Sequence, residues 1–144
     1  MVNERVCSAA VLVAVTTPEE RLPFATLECV VLDCPDPLEL AQFYRSLLGG
    51  TINQPDPRWA VSDRWATLHT PSAQVLAFQA VDRYNPPQWP DPAHPQHFHL
   101  DFHVDALERA HPSVLALGGR LLESARRWRV YADPAGHPFC LVGK

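Results

Sequence analysis

Between His97 and Asp105 the chain reads "HFHLDFHVD". Taken alternately, one set is His97, His99, Asp101 and His103, and the other is Phe98, Leu100, Phe102 and Val104. A period of two is that of a β-strand with one face on apolar packing. Imidazoles flanking a carboxylate can hold a metal or move a proton, and a carboxylate in a partly dry cavity has its proton affinity set by its surroundings. His99, Asp101 and His103 are therefore candidate catalytic residues facing a cavity. His97, next to the preceding loop, is expected at a solvated strand end.

The elements that must position this strand follow from an internal repeat. "DPLELAQFYRSLLGG" (36–50) and "DALERAHPSVLALGG" (105–119) share Asp, Leu, Glu, Ala, Leu, Gly and Gly at the same offsets. Each opens Asp-x-Leu-Glu, a capping-box arrangement, and closes Gly-Gly, where a left-handed cap is needed. Leu38, Ala41, Tyr44 and Leu48 recur at helical spacing, as do Leu107, Ala110, Val114 and Leu117. Pro37 suits a first helical turn, whereas Pro112 should kink the second helix. Strands are expected at 27–34 and 97–104 before the helices, and at 65–70, 74–81, 120–124, 128–133 and 138–142 after them. Each half reads strand–helix–strand–strand–strand, and the Pro-rich stretch 82–96, "DRYNPPQWPDPAHPQ", joins the halves.

The chain of 144 residues is one domain's worth, and 47% apolar with 19% charged residues is ordinary globular composition. A formal charge of −4 has no basic footprint for nucleic acid. Cys7, Cys29, Cys34 and Cys140 form no C-x-x-C pair or regular framework, so reduced thiols and a cytoplasmic setting are expected. The apolar run 6–15, "VCSAAVLVAV", lies between Asn3-Glu4-Arg5 and "TTPEE". It lacks the basic flank and cleavage site of a signal peptide, is too short to span a bilayer, and reads as an extra strand or loose extension.

The duplicated pattern, with "LDCPDPLELAQFYRSLLGG", "LAFQAV", "WPDPAHPQ" running into "HLDFHVD", and "VYADPAGHPFCLV", resembles the vicinal oxygen chelate superfamily. It is most similar to small bacterial glyoxalase-like proteins, over roughly residues 27–142 of the chain, with 1–26 as an extension. The resemblance implies an α+β fold: two βαβββ modules, 27–81 and 97–142, forming a curled mixed sheet around one cleft. Relatives of this fold include lactoylglutathione lyases, epimerases, extradiol dioxygenases, thiol transferases conferring antibiotic resistance, and bleomycin-binding proteins.

In the family, four cleft positions, often His-Glu-His-Glu, hold a divalent metal that chelates substrate oxygens. Carried over, the first falls on Cys29, the second on Ala77 or Gln79, the third on His99 and the fourth on Cys140. Only His99 is a usual ligand there. Cys29, His99 and Cys140 would make a Cys₂His set suited to zinc or copper with an open position. A metal-free cleft, with the two cysteines simply packed, is the other reading.

Asp33, Gln79, Trp89 and Arg129 are candidate substrate-binding residues, with Trp89 in its Pro-bounded loop as a lid and Arg129 or Arg127 as counter-charge to an acid. His94 is expected at the rim, His137 in the turn, and His69 and His111 on the surface. The other tryptophans are expected in the core. No phosphate loop, G-x-G-x-x-G or G-x-S-x-G is present. A Cys29 or Cys140 nucleophile with His99 as base would need a depressed thiol pKa. Two functions stand: an enzyme of lyase, isomerase or dioxygenase type using His99 and Asp101 with or without a metal, and a non-catalytic binder of a drug or metabolite. A homodimer is expected, with 6–15 covering a sheet edge.

Overall fold

The computed structural model describes residues 24–144, so the expectations for segment 6–15 lie outside the described residues. Strand β1 (Val30–Cys34) leads into α1 (Pro37–Leu48), then β2 (Thr51–Ile52), β3 (Trp65–His69) and β4 (Val75–Ala80). The second module runs β5 (Leu100–His103), α2 (Leu107–Ala116), β6 (Arg120–Ser124), β7 (Trp128–Ala132) and β8 (Pro138–Val142). The sheets have orders β1-β4-β3-β2 and β5-β8-β7-β6. In each, the first and last strands of the module pair in parallel and the rest are antiparallel. The duplicated βαβββ plan is as expected; the two sheets, however, share no strand pairing and do not close into one. The two-residue β2 has too little sequence to announce itself.

The two repeats build different helices. Asp36 caps α1, its Oδ1 accepting from the backbone N–H groups of Leu38 and Glu39, both at 3.0 Å. Asp105 does not cap α2: the helix starts from Ala106 without a side-chain cap. The Asp105 carboxylate instead stands 3.7 Å from Lys144 Nζ and 4.0 Å from His103 Nε2. The repeat sets Phe43 and Tyr44 of the first helix against Pro112 and Ser113 of the second. Accordingly α1 buries Pro37, Leu40, Ala41, Phe43 and Tyr44, whereas α2 buries only Leu107 and Val114 and carries Pro112 within it.

Helix α1 serves both sheets. Tyr44 stacks on Phe78 of β4 at 5.7 Å and meets Phe102 and Phe139 of the second sheet at 6.1 and 6.3 Å. These rings join Leu32, Leu68, Leu76, Tyr131 and Leu141 in one core cluster. The helix-facing sides of both sheets are spent on this core. Parity holds in β1, where Leu32 and Cys34 are buried and Val31 and Asp33 exposed, and in β5, where Leu100 and Phe102 pack inward.

A buried polar network locks the modules together. The Tyr44 hydroxyl donates to Asp133 Oδ2 at 2.8 Å, and His137 Nδ1 lies 2.9 Å from the same oxygen. Asp133 Oδ1 accepts from the N–H groups of Ala135 and His137, both at 2.9 Å. Tyr84, from the connecting segment, donates to the Ala135 carbonyl at 2.8 Å and stands 3.2 Å from His137 Nε2. His137 thus shapes the "DPAGHP" turn as expected, with its ring tied in as well as its backbone.

Candidate functional site

The open face of the second sheet is built by alternation. β5, with His99 just ahead of it, presents Asp101, β8 presents Pro138 and Cys140, and β7 presents Trp128 and Val130. The connecting segment crosses above. It is clamped on itself by Gln88 N–H to the His94 carbonyl at 2.9 Å and by Asp91, which accepts from Ala93 N–H at 2.9 Å. Asp91 also stands 3.1 Å from His94 Nδ1. These bonds hold Trp89 over the sheet, where it walls a hollow of about 310 Å³ shared with Gln96, His99, Asp101, Trp128 and Cys140.

A second hollow, of about 400 Å³, adjoins it through Gln96 and His99 and is lined also by Asp33, His94, His97 and His137. His97 therefore lines the site instead of standing only in solvent. The third, about 360 Å³, contains Cys29 with Leu27, Leu48, Val75 and Asp101. Asp101 is the one acidic residue common to the first and third.

The polar centre is a chain of three side chains. Gln96 Nε2 lies 3.2 Å from His99 Nδ1, and His99 Nε2 lies 3.3 Å from Asp101 Oδ1. An amide N–H donating to Nδ1 makes that nitrogen the acceptor and leaves the ring proton on Nε2, beside the carboxylate. Gln96 Oε1 is buried with no hydrogen-bond partner among the described residues, so the Gln96 amide has no second protein partner for its carbonyl. His99 and Asp101 remain 49% and 60% exposed, open to a ligand.

Burial pushes the Cys140 thiol up, and the Asp101 carboxylate across the strand pair adds to the shift. Cys29 is likewise raised, first by burial and then by Glu28. Both shifts run opposite to the depressed thiol pKa that a cysteine nucleophile would need.

The expected Cys₂His metal set does not assemble within the chain. Cys29 precedes β1 in the first sheet and lines a hollow that contains neither His99 nor Cys140. Among the described residues no three His, Cys, Asp or Glu side chains group so as to hold a metal ion. Cys29 and Cys140 line different hollows, and β1 and β8 share no strand pairing, so the three donors do not form one set for a divalent cation.

Other expectations change with the tertiary arrangement. Arg129 stands on the helix side of β7: its Nη1 donates to the Leu107 carbonyl at 3.1 Å, Nη2 pairs with Glu108, and its side chain is only 12% exposed. Arginine at an odd position of β7 shares the face of buried Tyr131, so it braces α2 on the side turned from the hollow that Trp128 and Val130 line. His103, 58% exposed, lines none of the hollows and faces Asp105 at 4.0 Å. Gln79 sits beside Asp33 in the β1–β4 register but lines none of these hollows, and Ala77 is buried. His111 is no free surface residue, its Nδ1 lying 2.9 Å from the Tyr131 hydroxyl, and His69 has its Nε2 buried. Trp59 and Trp65 stack on each other at 6.1 Å, and Trp128 lines the hollow instead of the core. Gln96 was not foreseen; the one signal was its place immediately before the His-rich strand.

The sequence profile of the Glyoxalase-like domain family matches residues 29–142. A comparison with curated protein sequences gives no match. Among solved structures, a glyoxalase/dioxygenase from Nostoc punctiforme superposes with a TM-score of 0.65 at 18% identity, over 91% of this chain and 97% of that one. FosX, the genomically encoded fosfomycin resistance protein of Listeria monocytogenes, superposes with a TM-score of 0.62 at 12% identity, over 85% of this chain and 95% of that one. A mutant of that FosX has been crystallised with Mn(II) and 1S,2S-dihydroxypropylphosphonic acid. A glyoxalase/bleomycin resistance protein/dioxygenase family enzyme from Burkholderia phytofirmans gives a TM-score of 0.62 at 18% identity, over 83% and 98% of the two chains. These likenesses carry the fold, and the profile match carries the family: the chain belongs to the glyoxalase-like domain family.

Proposed function

We propose that the chain binds a small organic molecule on the open face of the second sheet and transfers a proton there, as a lyase or isomerase does. The observation that supports this is the Gln96–His99–Asp101 chain at the junction of two hollows. His99 Nε2–H is placed to steady a substrate oxygen and one edge of the Asp101 carboxylate. The other carboxylate oxygen is free to take a proton from carbon or hydroxyl. No step in this reading runs through a metal.

Trp89 and Trp128 support a second reading, capture of a drug or metabolite without turnover, because both indoles wall the same hollow. Deuterium exchange from solvent into carbonyl compounds, followed by NMR, separates the two. Exchange that is catalysed by the wild type and lost in Asp101→Asn supports the enzyme. Binding of those compounds with no exchange in the wild type supports the binder.

The same reading includes a homodimer in a reducing compartment. β2 and β6 end their sheets, and exposed Leu121 of β6 is a residue that a second copy would cover. Cys29, Cys34 and Cys140 are free thiols, as a cytoplasmic protein keeps them. Among the described residues, no helix is long and apolar enough to cross a membrane.

A further inference from the structure

We propose that the ligand of this face is an organic acid with a flat apolar body, its acid group held by Arg120 and its far end delivered to His99 and Asp101. This deepens the proposed function and rests on it for the reacting end.

Arg120, Ala132 and Pro138 are successive cross-strand partners over β6, β7 and β8. The parallel register of β5 with β8 sets Leu100 beside Phe139, and so brings His99 level with Pro138. Arg120 and His99 therefore end one row across the sheet, three strand spacings or about 14 Å apart. The row's floor between them is Ala132 and Pro138, small and apolar. Its roof is Trp89, which lines the His99 hollow on one side and a further hollow of about 560 Å³, holding Arg120, on the other.

Three features give that second hollow an anion's chemistry. Arg120 is the only lysine or arginine lining any of the four hollows among the described residues. No carboxylate lies within ion-pair distance of it among the described residues. The one acidic residue at this hollow, Asp133, has a fully buried side chain spent on Tyr44, His137 and backbone N–H groups. A guanidinium fork matches a carboxylate with two parallel bonds, and an indole suits a planar body slid beneath it. Side-chain reach from both ends shortens the 14 Å row to the length of one aromatic ring with a short acidic arm.

The test titrates the full chain with 4-hydroxycinnamate, its neutral amide, and acetate, by calorimetry or ligand-observed NMR. The proposal expects the acid to bind about tenfold or more tightly than the amide or acetate. Arg120→Gln should weaken the acid about tenfold and leave the amide unchanged, with Arg120→Lys between; Trp89→Ala should weaken acid and amide together. Melting curves of the unliganded variants check that they fold. Equal affinity for acid and amide, no effect of Arg120→Gln, or no acid binding at about 10 mM overturns the proposal. His99→Gln and Asp101→Asn separate it from the reading beneath it. If both variants keep wild-type proton exchange while Arg120→Gln lowers acid affinity, the acid subsite stands and the assignment of the reacting end falls.

Discussion

The Tyr44 hydroxyl and the Asp133 carboxylate, 89 residues apart in sequence, meet at 2.8 Å in the interior. One belongs to the helix of the first module and the other to the β7–β8 turn of the second. Burial, and then the neighbouring Asp133 charge, hold the Tyr44 phenol well above its ordinary value, so it stays a donor. Tyr44→Phe keeps the ring among Phe78, Phe102 and Phe139 but removes one partner of a buried carboxylate. We expect a loss of about 1–3 kcal/mol, read by urea denaturation. A change below a few tenths would show that the bond does not join the modules.

Loss of stability at alkaline pH has a source in Cys34. Burial pushes its thiol up to about 12 from 9.0, aided by the carboxylates of Asp36, Asp133 and Asp33. Above pH 9 the unfolded chain releases this proton while the native chain keeps it, so stability is present below pH 9 and falls as pH climbs toward 12. The slope from this one group approaches about 1.4 kcal/mol per pH unit at most. Denaturation midpoints at pH 8, 9 and 10 should fall more steeply in the wild type than in Cys34→Ala; parallel curves would refute the assignment.

Arg129 should behave as a brace. Arg129→Ala frees the Leu107 carbonyl and Glu108, and we expect it to cost about 1–2 kcal/mol with ligand affinity unchanged. Loss of binding at unchanged stability would return Arg129 to the site.

Asp101→Asn removes the free carboxylate oxygen without altering size. Proton exchange should fall by about a hundredfold or more, with binding within about threefold of wild type. Equal exchange rates in the two proteins would move the base elsewhere.

A chelator tests the donor arrangement. Because Cys29 and Cys140 line separate hollows, dialysis against EDTA should leave the melting temperature of the purified protein unchanged. A marked drop would show that Cys29 and Cys140 reach a common ion, for instance across two copies.

Much of this molecule is local and therefore readable residue by residue. Alternation in "HFHLDFHVD" named the polar and apolar sides of β5 because pleating reverses every residue, whatever lies beyond the strand. Asp36, Pro37 and Gly49 bounded α1 because caps act within one turn. The repeat announced two like modules, and the structure bears that out.

What no stretch of sequence carries is which elements meet. Whether Cys29 joins His99 and Cys140 depends on the closing of two sheets, and they do not pair. Arg129 and Arg120 look alike in a string; strand register, with the bulge between Leu121 and Glu123, sends one under α2 and leaves the other on the open face. Gln96 gains its role only where a folded loop brings its amide to His99. The order of elements and the faces of each strand were determined by the sequence itself, since those depend on neighbours one to four residues away. The convergence of His99, Asp101, Cys140 and Trp89, the placing of Cys29 in a neighbouring hollow and that of Arg129 against α2 were decided by tertiary packing of the shared aromatic core around α1.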